Sequence, residues 1–207
     1  VPDGVSLRDA ACAPIAFGTT EHMLFDNARL KPGETILVHA AGSGIGSVAI
    51  KMAKALGCTV ITTVGDDDKA EKAKALGADH VINYKKDRFE GVTRKLTAKK
   101  GVDVVFEHVG GEGFNGSLLV LKRGGRLVTC GSTAGPTVTI NLMQLFQQQY
   151  KILGSFGCRI QNIRDSLSKM AAGIDAIIDT EVPLADFEKG LERLESRKVF
   201  GKVIVNF

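Results

Sequence analysis

The sequence predicts an α/β fold in which helices cover both faces of a doubly wound, six-stranded parallel sheet. Short apolar runs alternate with segments whose apolar residues recur every three or four positions, and glycines mark most of the junctions. Each helix in such an alternation returns the chain to the same end of the sheet, so the strands run parallel. We expect right-handed crossovers between them.

The first strand and helix carry the strongest pattern. A turn at 31–34 precedes the uncharged run 35–41, which is typical of a strand buried on both faces. From Gly44 the apolar residues follow helical spacing as far as Leu56, and Gly57 is expected just beyond the helix end.

The same alternation continues along the chain. Further strands are predicted at 59–64, 80–83, 102–107, 126–130 and 150–156, with helices near 69–76, 88–97, 114–121 and 142–148. Two flanks lie outside this unit. Residues 6–29 are predicted as two helical pieces broken near Pro14 and Gly18, and residues 160–207 as helix, short strand near 181–183, helix and terminal strand.

Composition excludes several classes of protein. The net charge is +4, and basic residues are interleaved with acids, so nucleic acid is not expected as a partner. No apolar stretch approaches the roughly 20 residues of a membrane span, and Val1 begins no signal peptide, so we predict a cytoplasmic protein without a membrane partner. The four cysteines and four histidines lack metal-site spacing and predict reduced thiols and no metal.

A glycine cluster at 40–46 lies between the first predicted strand and helix. Its glycines do not fit the strict G-x-G-x-x-G pattern, but this context is the one in which glycines bind phosphate. Glycine lets the backbone approach a diphosphate, and the first amides of the helix point at that anion. The residues predicted to bind it are Gly42, Ser43, Gly44, Ile45 and Gly46. The alternative is a tight turn in another kind of doubly wound protein.

Further motifs make the comparison more specific. They are Leu76-Gly77-Ala78-Asp79-His80-Val81-Ile82-Asn83-Tyr84, Gly101-Val102-Asp103-Val104-Val105, Val109-Gly110, Gly124-Gly125-Arg126 and Gly201-Lys202-Val203. With the glycine cluster, they resemble the cofactor domain of the quinone oxidoreductase-like (zeta-crystallin-like) branch of medium-chain dehydrogenases. The resemblance implies a Rossmann domain and an NAD(P)H-dependent enzyme that transfers hydride to a quinone, enone or similar carbonyl substrate.

The resemblance also divides the chain into three parts. Residues 1–30 would be a helical lead-in from a catalytic domain, 31–158 the NAD(P)-binding domain, and 159–207 a segment returning towards the catalytic domain. Relatives carry a barrel-like N-terminal domain that covers the nicotinamide, so on the order of 100 residues would precede Val1. Because hydride transfer needs a cleft that excludes water, we expect this chain alone to bind cofactor with little turnover.

The cofactor predicted is NADP, with NAD as the alternative. Asp66 lies about 20 residues beyond the glycine cluster, where an acid that binds the ribose diol would indicate NAD. The resemblance instead places Gly65 at the usual acid position, and Lys69 and Tyr84 near a 2′-phosphate. Three neighbouring carboxylates would repel that phosphate. We interpret one of them, Asp68, as a helix N-cap.

Loops after the fourth and fifth strands are expected beside the nicotinamide, because ligands bind at the carboxyl ends of parallel strands. The cofactor contacts predicted there or by resemblance are His108, Val109, Gly131, Ser132, Thr133, Ser155, Phe156, Gly157 and Lys202. Phe156 could equally be a core residue. Glu107 and His108 are interpreted as hydrogen-bonded residues ending a strand rather than proton donors.

By resemblance, Thr19 is the candidate catalytic residue, although Glu21 replaces the tyrosine that relatives commonly carry two residues later. Zinc-containing members place a cysteine where this chain has Ile15, and Cys12 lies three residues away, which argues against zinc. A zinc-type alcohol dehydrogenase fragment, a non-catalytic NAD(P)-binding module and a methyltransferase-like domain remain as alternatives. The outer strand at 149–155 has an unpaired edge, and relatives pair there, so a homodimer is expected.

Overall fold

A computed structural model describes all residues from Val1 to Phe207 and confirms the predicted α/β fold. Six parallel strands form one sheet in the order β3-β2-β1-β4-β5-β6. These strands are β1 Thr35–Val38, β2 Thr59–Val64, β3 His80–Asn83, β4 Val102–Glu107, β5 Leu121–Thr129 and β6 Lys151–Gly154. The strand β5 starts earlier than predicted and runs through Gly124 and Gly125.

Helices cover both faces of this sheet, as its apolar strands require. They are α1 Leu7–Ala10, α2 Ala13–Asn27, α3 Gly44–Ala55, α4 Asp67–Ala75, α5 Phe89–Leu96, α6 Phe114–Leu119, α7 Leu142–Gln147, α8 Ile160–Ala171 and α9 Phe187–Glu195, where α2 joins Ala13–Phe17, Gly18–Glu21 and His22–Asn27. One apolar core lies between the sheet and α2, α3, α4 and α8, and a smaller one lies under α5 and α6. None of the helices is both long and apolar enough to span a bilayer.

The order of the strands places the glycine cluster at a crevice. The central strand β1 pairs with β2 on one side and with β4 on the other, and the chain winds outwards in opposite directions from this point. Val38 at the end of β1 is in register with Phe106 near the end of β4. The loops that follow β1 and β4 therefore lie side by side at the carboxyl edge, where open α/β sheets bind ligands.

The N-terminal segment forms two helical pieces as predicted, but the break lies at 11–12 and there is none at Gly18. The helix α2 runs through Gly18 with a helical φ of −61°, and Pro14 lies in its first turn, so neither residue breaks it. An ideal Cβ at Gly18 would lie 2.6 Å from the Sγ atom of Cys158. Glycine is therefore present to allow close packing at this position, and not to end the helix.

The C-terminal region forms a second, two-stranded sheet. The strand β7, Ile178–Pro183, starts earlier than predicted and pairs in parallel with β8, Lys202–Asn206. The helix α9 lies across these strands, and an ideal Cβ at Gly190 would be 3.2 Å from Val182. The terminal strand thus joins β7 and not the main sheet.

Candidate cofactor site

The glycine cluster forms a tight turn that leads into α3. Ala40 has a φ of +51°, in the left-handed region. Ser43 is the N-cap, and its Oγ atom accepts a hydrogen bond from the Gly46 amide at 2.9 Å. The amides of Gly44 and Ile45 donate to no protein acceptor. Two free N–H groups at the positive end of a 12-residue helix make a site for an anion.

Glycine is needed at position 46, where backbone lies very close, and position 44 is crowded by a flexible side chain. A Cβ at Gly46 would be 2.3 Å from the carbonyl oxygen of Ala40, and one at Gly44 would be 2.6 Å from the Cδ atom of Lys202. The ammonium group of Lys202 has no hydrogen-bond or ion-pair partner within the chain. A cation and two free amides, on backbone that carries no side chain at the glycines, fit the diphosphate of a dinucleotide.

The C-terminal segment lies over this turn. The Gly201 amide donates to the Gly42 carbonyl at 2.8 Å. Phe200 is buried, with its Cδ2 atom 3.1 Å from an ideal Cβ at Gly42. Sequence reasoning identified Lys202 but not Phe200. No local pattern signals this contact, because the two segments are far apart along the chain.

Lys69 and Tyr84 both lie near the end of β2. A Cβ at Gly65 would lie only 2.8 Å from the Tyr84 hydroxyl, so the Tyr84 ring occupies the space that a side chain at position 65 would need. The Lys69 side chain passes beside Gly42, and its Nζ atom donates to the Arg197 carbonyl at 2.6 Å. Arg197 was not predicted from the sequence, and its backbone carbonyl is the atom that contacts Lys69.

The prediction that Asp68 caps α4 is wrong. Asp66 is the N-cap, and its carboxylate accepts from the Lys69 amide at 2.8 Å. Asp67 bonds Lys86 and Asn83, and the hydrogen bond from Lys86 holds the pKa of the Asp67 carboxyl below its usual value. Two of the three acids at this helix start therefore already have protein partners.

Glu107 and His108 are engaged within the protein. The Glu107 carboxylate accepts from the amides of Val109 and Gly110 at 2.8 and 3.0 Å. His108 donates from Nε2 to the His39 carbonyl at 3.0 Å, and burial lowers the pKa of its imidazole. The structure agrees with their interpretation as residues that end a strand.

Several residues predicted beside the nicotinamide are exposed, whereas His108 is buried and Val109 and Ser155 are partly buried. Gly131, Ser132 and Thr133 lie on the surface after β5, in a loop held to the one after β4 by a 2.7 Å bond from the Ala134 amide to the Val109 carbonyl. Ser155 accepts from Asn27, while Gly157 is exposed. Phe156 is 98% exposed, so the alternative that it is a core residue is wrong.

Thr19 is half-buried in α2, and its hydroxyl has no partner within the chain. The neighbouring Thr20 hydroxyl lies 3.3 Å from the Ile45 carbonyl, which places this part of α2 beside the glycine turn. Glu21 is buried and pairs with Lys169 at 2.9 Å. Burial raises the pKa of the Glu21 carboxyl, although Lys169 acts in the opposite direction. An internal ion pair thus occupies the position where relatives carry tyrosine.

The possible metal ligands are not gathered. No three His, Cys, Asp or Glu side chains lie together in an arrangement that could hold a metal ion. Cys12 is buried, and burial raises the pKa of its thiol, while Ile15 is exposed. A buried neutral thiol is a poor metal ligand, since the thiolate is the form that binds.

Comparisons with known proteins identify the family. Residues 44–181 match the model of the zinc-binding dehydrogenase family. The chain belongs to this family. As a quinone oxidoreductase-like member of the medium-chain dehydrogenase/reductase superfamily, it comprises the cofactor-binding part, which confirms the resemblance inferred from its motifs.

Individual relatives agree with this family. A quinone oxidoreductase of Salmonella typhimurium is 32% identical over 99% of this chain, which spans 66% of that protein's length. The crystal structure of an NAD-dependent alcohol dehydrogenase superimposes with a TM-score of 0.93 at 36% identity, covering 100% of this chain and 60% of its own. The structure of the 2-octenoyl-CoA carboxylase reductase CinF, in complex with NADP and 2-octenoyl-CoA, superimposes with a TM-score of 0.90 at 30% identity. The match covers 99% of this chain and 50% of the CinF chain.

Proposed function

We propose that this chain binds NADP(H) and serves in hydride transfer to a quinone, enone or similar carbonyl compound. The observation that carries the proposal is the pair of free amides, Gly44 and Ile45, at the start of α3 beside the unpaired ammonium of Lys202. The diphosphate would lie there. When bound, the cofactor supplies the hydride, and the residues of the glycine turn would hold and orient the cofactor.

The corner beside β2 favours NADP over NAD. An acid that binds the ribose diol would need the position of Gly65, which has no side chain and is filled by the Tyr84 hydroxyl. Lys69, in the helix that follows β2, adds a positive charge beside Gly42. Asp66 and Asp67 oppose a 2′-phosphate less than their charges suggest, because each already accepts hydrogen bonds from the protein.

A fluorescence titration with NADPH and NADH tests whether the chain binds a nicotinamide cofactor and whether it prefers NADPH. Lys69→Ala should weaken NADPH binding about tenfold and change NADH binding by less than about twofold, because only NADPH carries the extra phosphate. Lys74→Ala is the matched control, since Lys74 lies on the same helix and pairs with Glu71 at 2.7 Å. If neither nucleotide binds the folded chain at millimolar concentration, the proposed function is wrong.

The exposed nicotinamide end supports a second statement, that this chain alone turns over little substrate. The predicted contacts at Gly131, Ser132 and Thr133 face solvent, while Glu107 and His108 are held inside the protein. Gly131, Ser132 and Thr133 therefore lack the water-excluding walls that hydride transfer needs. An NADPH-dependent quinone reduction assay on the purified chain should give little or no activity. Robust turnover would contradict the statement.

The same exposure favours a non-catalytic NAD(P)-binding module as the second candidate. Such a module would bind the cofactor without transferring hydride in any longer protein that contains this chain. Quinone reduction by that longer protein would exclude the module and support the enzyme. A zinc-type dehydrogenase is not favoured, because Cys12 is a buried neutral thiol, and metal analysis of the same protein would test the predicted absence of zinc.

We also propose a homodimer formed at the free edge of β6. The outer strand is unpaired, and the adjoining helix α7 exposes Leu142, Met143 and Phe146. A second copy would extend the sheet across a two-fold axis and cover these side chains. Light scattering should give twice the chain mass, and a monomer at high concentration would contradict the dimer.

We further propose a cytoplasmic location. The four cysteines are free thiols, which is typical of proteins in a reducing compartment.

A further inference from the structure

Ala40 opens the proposed diphosphate turn in an unfavourable backbone conformation. Its φ of +51° lies in the left-handed region, where the Cβ atom crowds the following carbonyl. A residue stays in this region only when surrounding contacts hold it there. The direction in which the Gly44 and Ile45 amides point depends on this residue, since the turn starts from it.

Thr63 at the end of β2 holds Ala40 through two separate atoms. The Ala40 amide donates to the Thr63 hydroxyl oxygen at 3.1 Å, and the next amide, of Ala41, donates to the Thr63 carbonyl at 3.0 Å. The Thr63 residue is only 2% exposed, so water does not compete for its hydroxyl. The side-chain bond is thus made to the strained residue itself.

The Thr63 hydroxyl begins a buried chain of hydrogen bonds. It lies 3.1 Å from Nδ1 of His39, whose Nε2 atom lies 2.9 Å from the Ser117 hydroxyl, which in turn lies 3.4 Å from the Gly113 carbonyl. Burial lowers the pKa of His39 to about 3, so its imidazole is neutral and has one donor and one acceptor.

Only one direction of donation along these hydrogen bonds gives every proton an acceptor. If Thr63 donates to Nδ1, then Nε2–H donates to Ser117 and Ser117 donates to the Gly113 carbonyl. The opposite direction leaves the Thr63 proton without a partner in a buried place, which is costly. In the favoured direction, the Thr63 lone pair is free to accept from the Ala40 amide.

We infer that Thr63, oriented by His39, is a positioning residue that fixes Ala40 and thereby the diphosphate-binding amides. The same chain connects the turn after β1 to the Gly113 carbonyl, just beyond the loop that follows β4. The two loops on either side of the crevice are thus held in one arrangement before the cofactor arrives. This inference rests on the proposed binding of NADP(H).

The experiment compares two threonines that are neighbours on one strand. Thr63→Val removes the hydroxyl that bonds Ala40, and should weaken NADPH binding on the order of tenfold. Thr62→Val is the matched control, because the Thr62 hydroxyl is equally buried but donates to the Val38 carbonyl at 2.7 Å, on the other face of the sheet. It should leave affinity within about twofold of wild type. Thr63→Ser, which keeps the hydroxyl, should restore binding.

Amide hydrogen exchange without cofactor gives a second measurement. The amides of Ala40 and Ala41 should exchange faster in Thr63→Val than in Thr62→Val. Ala40→Gly added to Thr63→Val should recover part of the lost affinity, because glycine adopts a positive φ without a Cβ penalty. Should Thr63→Val fold poorly, Ser117→Ala breaks the same chain farther away and should weaken NADPH binding about threefold.

The outcomes separate this inference from the proposed function. If wild type and Thr62→Val bind NADPH and the Thr63 and Ser117 variants bind equally well, the positioning role is wrong and the proposed function stands. Equal weakening by Thr62→Val and Thr63→Val would also overturn it, since a general loss of stability would then be the cause. If wild type binds neither NADPH nor NADH, both proposals fail.

Discussion

The diphosphate end and the nicotinamide end of the proposed site are built in different ways. At the diphosphate end, Thr63, His108 and Gly201 bond the backbone of residues 39–42 from three separate elements. At the nicotinamide end, Ser132, Thr133 and Phe156 are exposed. Under the proposed function, the preorganised backbone binds the diphosphate within this chain. An exposed loop can contribute to hydride transfer only when something else excludes the water.

The largest effect is expected from Gly46→Ala at the diphosphate end. The new Cβ would meet the Ala40 carbonyl at 2.3 Å, a backbone atom that cannot move without displacing the turn. NADPH affinity measured by fluorescence titration should fall at least about a hundredfold, because both free amides would be misdirected. The control is Gly91→Ala, in a helix where no atom lies within 4 Å of the new Cβ. Unchanged binding by Gly46→Ala would show that this turn does not hold the cofactor.

A stability effect of intermediate size is expected from Asp179→Asn, under the segment that covers the turn. Burial alone would raise the Asp179 pKa, but hydrogen bonds from Arg193, the Phe200 amide and Thr180 together lower it to about 2. A lowered carboxyl pKa stabilises the fold above the ordinary value near 4, and this stability is lost as pH falls towards 2. The contribution at neutral pH is roughly 1–2 kcal/mol.

Urea denaturation between pH 7 and pH 2 checks this expectation. The free energy of unfolding of the wild type should fall as the pH is lowered. That of Asp179→Asn should be smaller at pH 7 and should change less between pH 7 and pH 2. Asp175→Asn provides the control, because Asp175 is exposed and only its backbone carbonyl is bonded, by Lys51. Parallel curves for wild type and Asp179→Asn would contradict the assigned role.

A smaller effect is expected from Lys202→Met, which keeps the apolar stem over Gly44 and removes the charge. Affinity for NADPH and NADH should fall by the same factor, about threefold to tenfold, because both cofactors contain the diphosphate. Added salt should reduce the difference from wild type. Lys198→Met, at an exposed position in the same segment, should bind normally. Selective loss of NADPH alone would place Lys202 at the 2′-phosphate instead.

The smallest effect is expected from Phe156→Ala at the nicotinamide end. Because the ring is 98% exposed, its loss should leave the free energy of unfolding within about 0.5 kcal/mol of wild type. The same substitution at the fully buried Phe17 should cost roughly 3–5 kcal/mol. Denaturant unfolding measures both. A large loss of unfolding free energy in Phe156→Ala would mean that the Phe156 ring packs against the protein and is not exposed.

Local patterns predicted the regular parts of the fold and much of the site. Apolar runs alternating with helical spacing predicted all six strands, and glycines between β1 and α3 predicted the turn. The cap of α4 was misassigned, because Asp66, Asp67 and Asp68 have the same capping preference and packing decides among them. The predicted helix break at Gly18 is wrong, because contact with Cys158 requires a small residue there within a continuous helix.

The remaining parts of the site depend on contacts between distant segments. Phe200 reaches the turn, and the Arg197 carbonyl reaches Lys69, because β8 pairs with β7 and returns the chain over Gly42. No periodic pattern encodes that path. The Thr63 to Ser117 chain joins three elements in the same way. The sequence signals backbone geometry through glycine, but it carries no comparable signal for a buried hydrogen-bonded side chain.

In the proposed function, the amides of Gly44 and Ile45 hold the diphosphate of the cofactor. Nitrogen-15 NMR of the glycine- and isoleucine-labelled chain tests this most directly, with NADPH added stepwise. The resonances of Gly44 and Ile45 should shift downfield and saturate with the affinity found by fluorescence, while those of Gly57 and Gly173, in turns away from the site, stay unchanged. Saturating NADPH that leaves Gly44 and Ile45 unmoved would contradict the account.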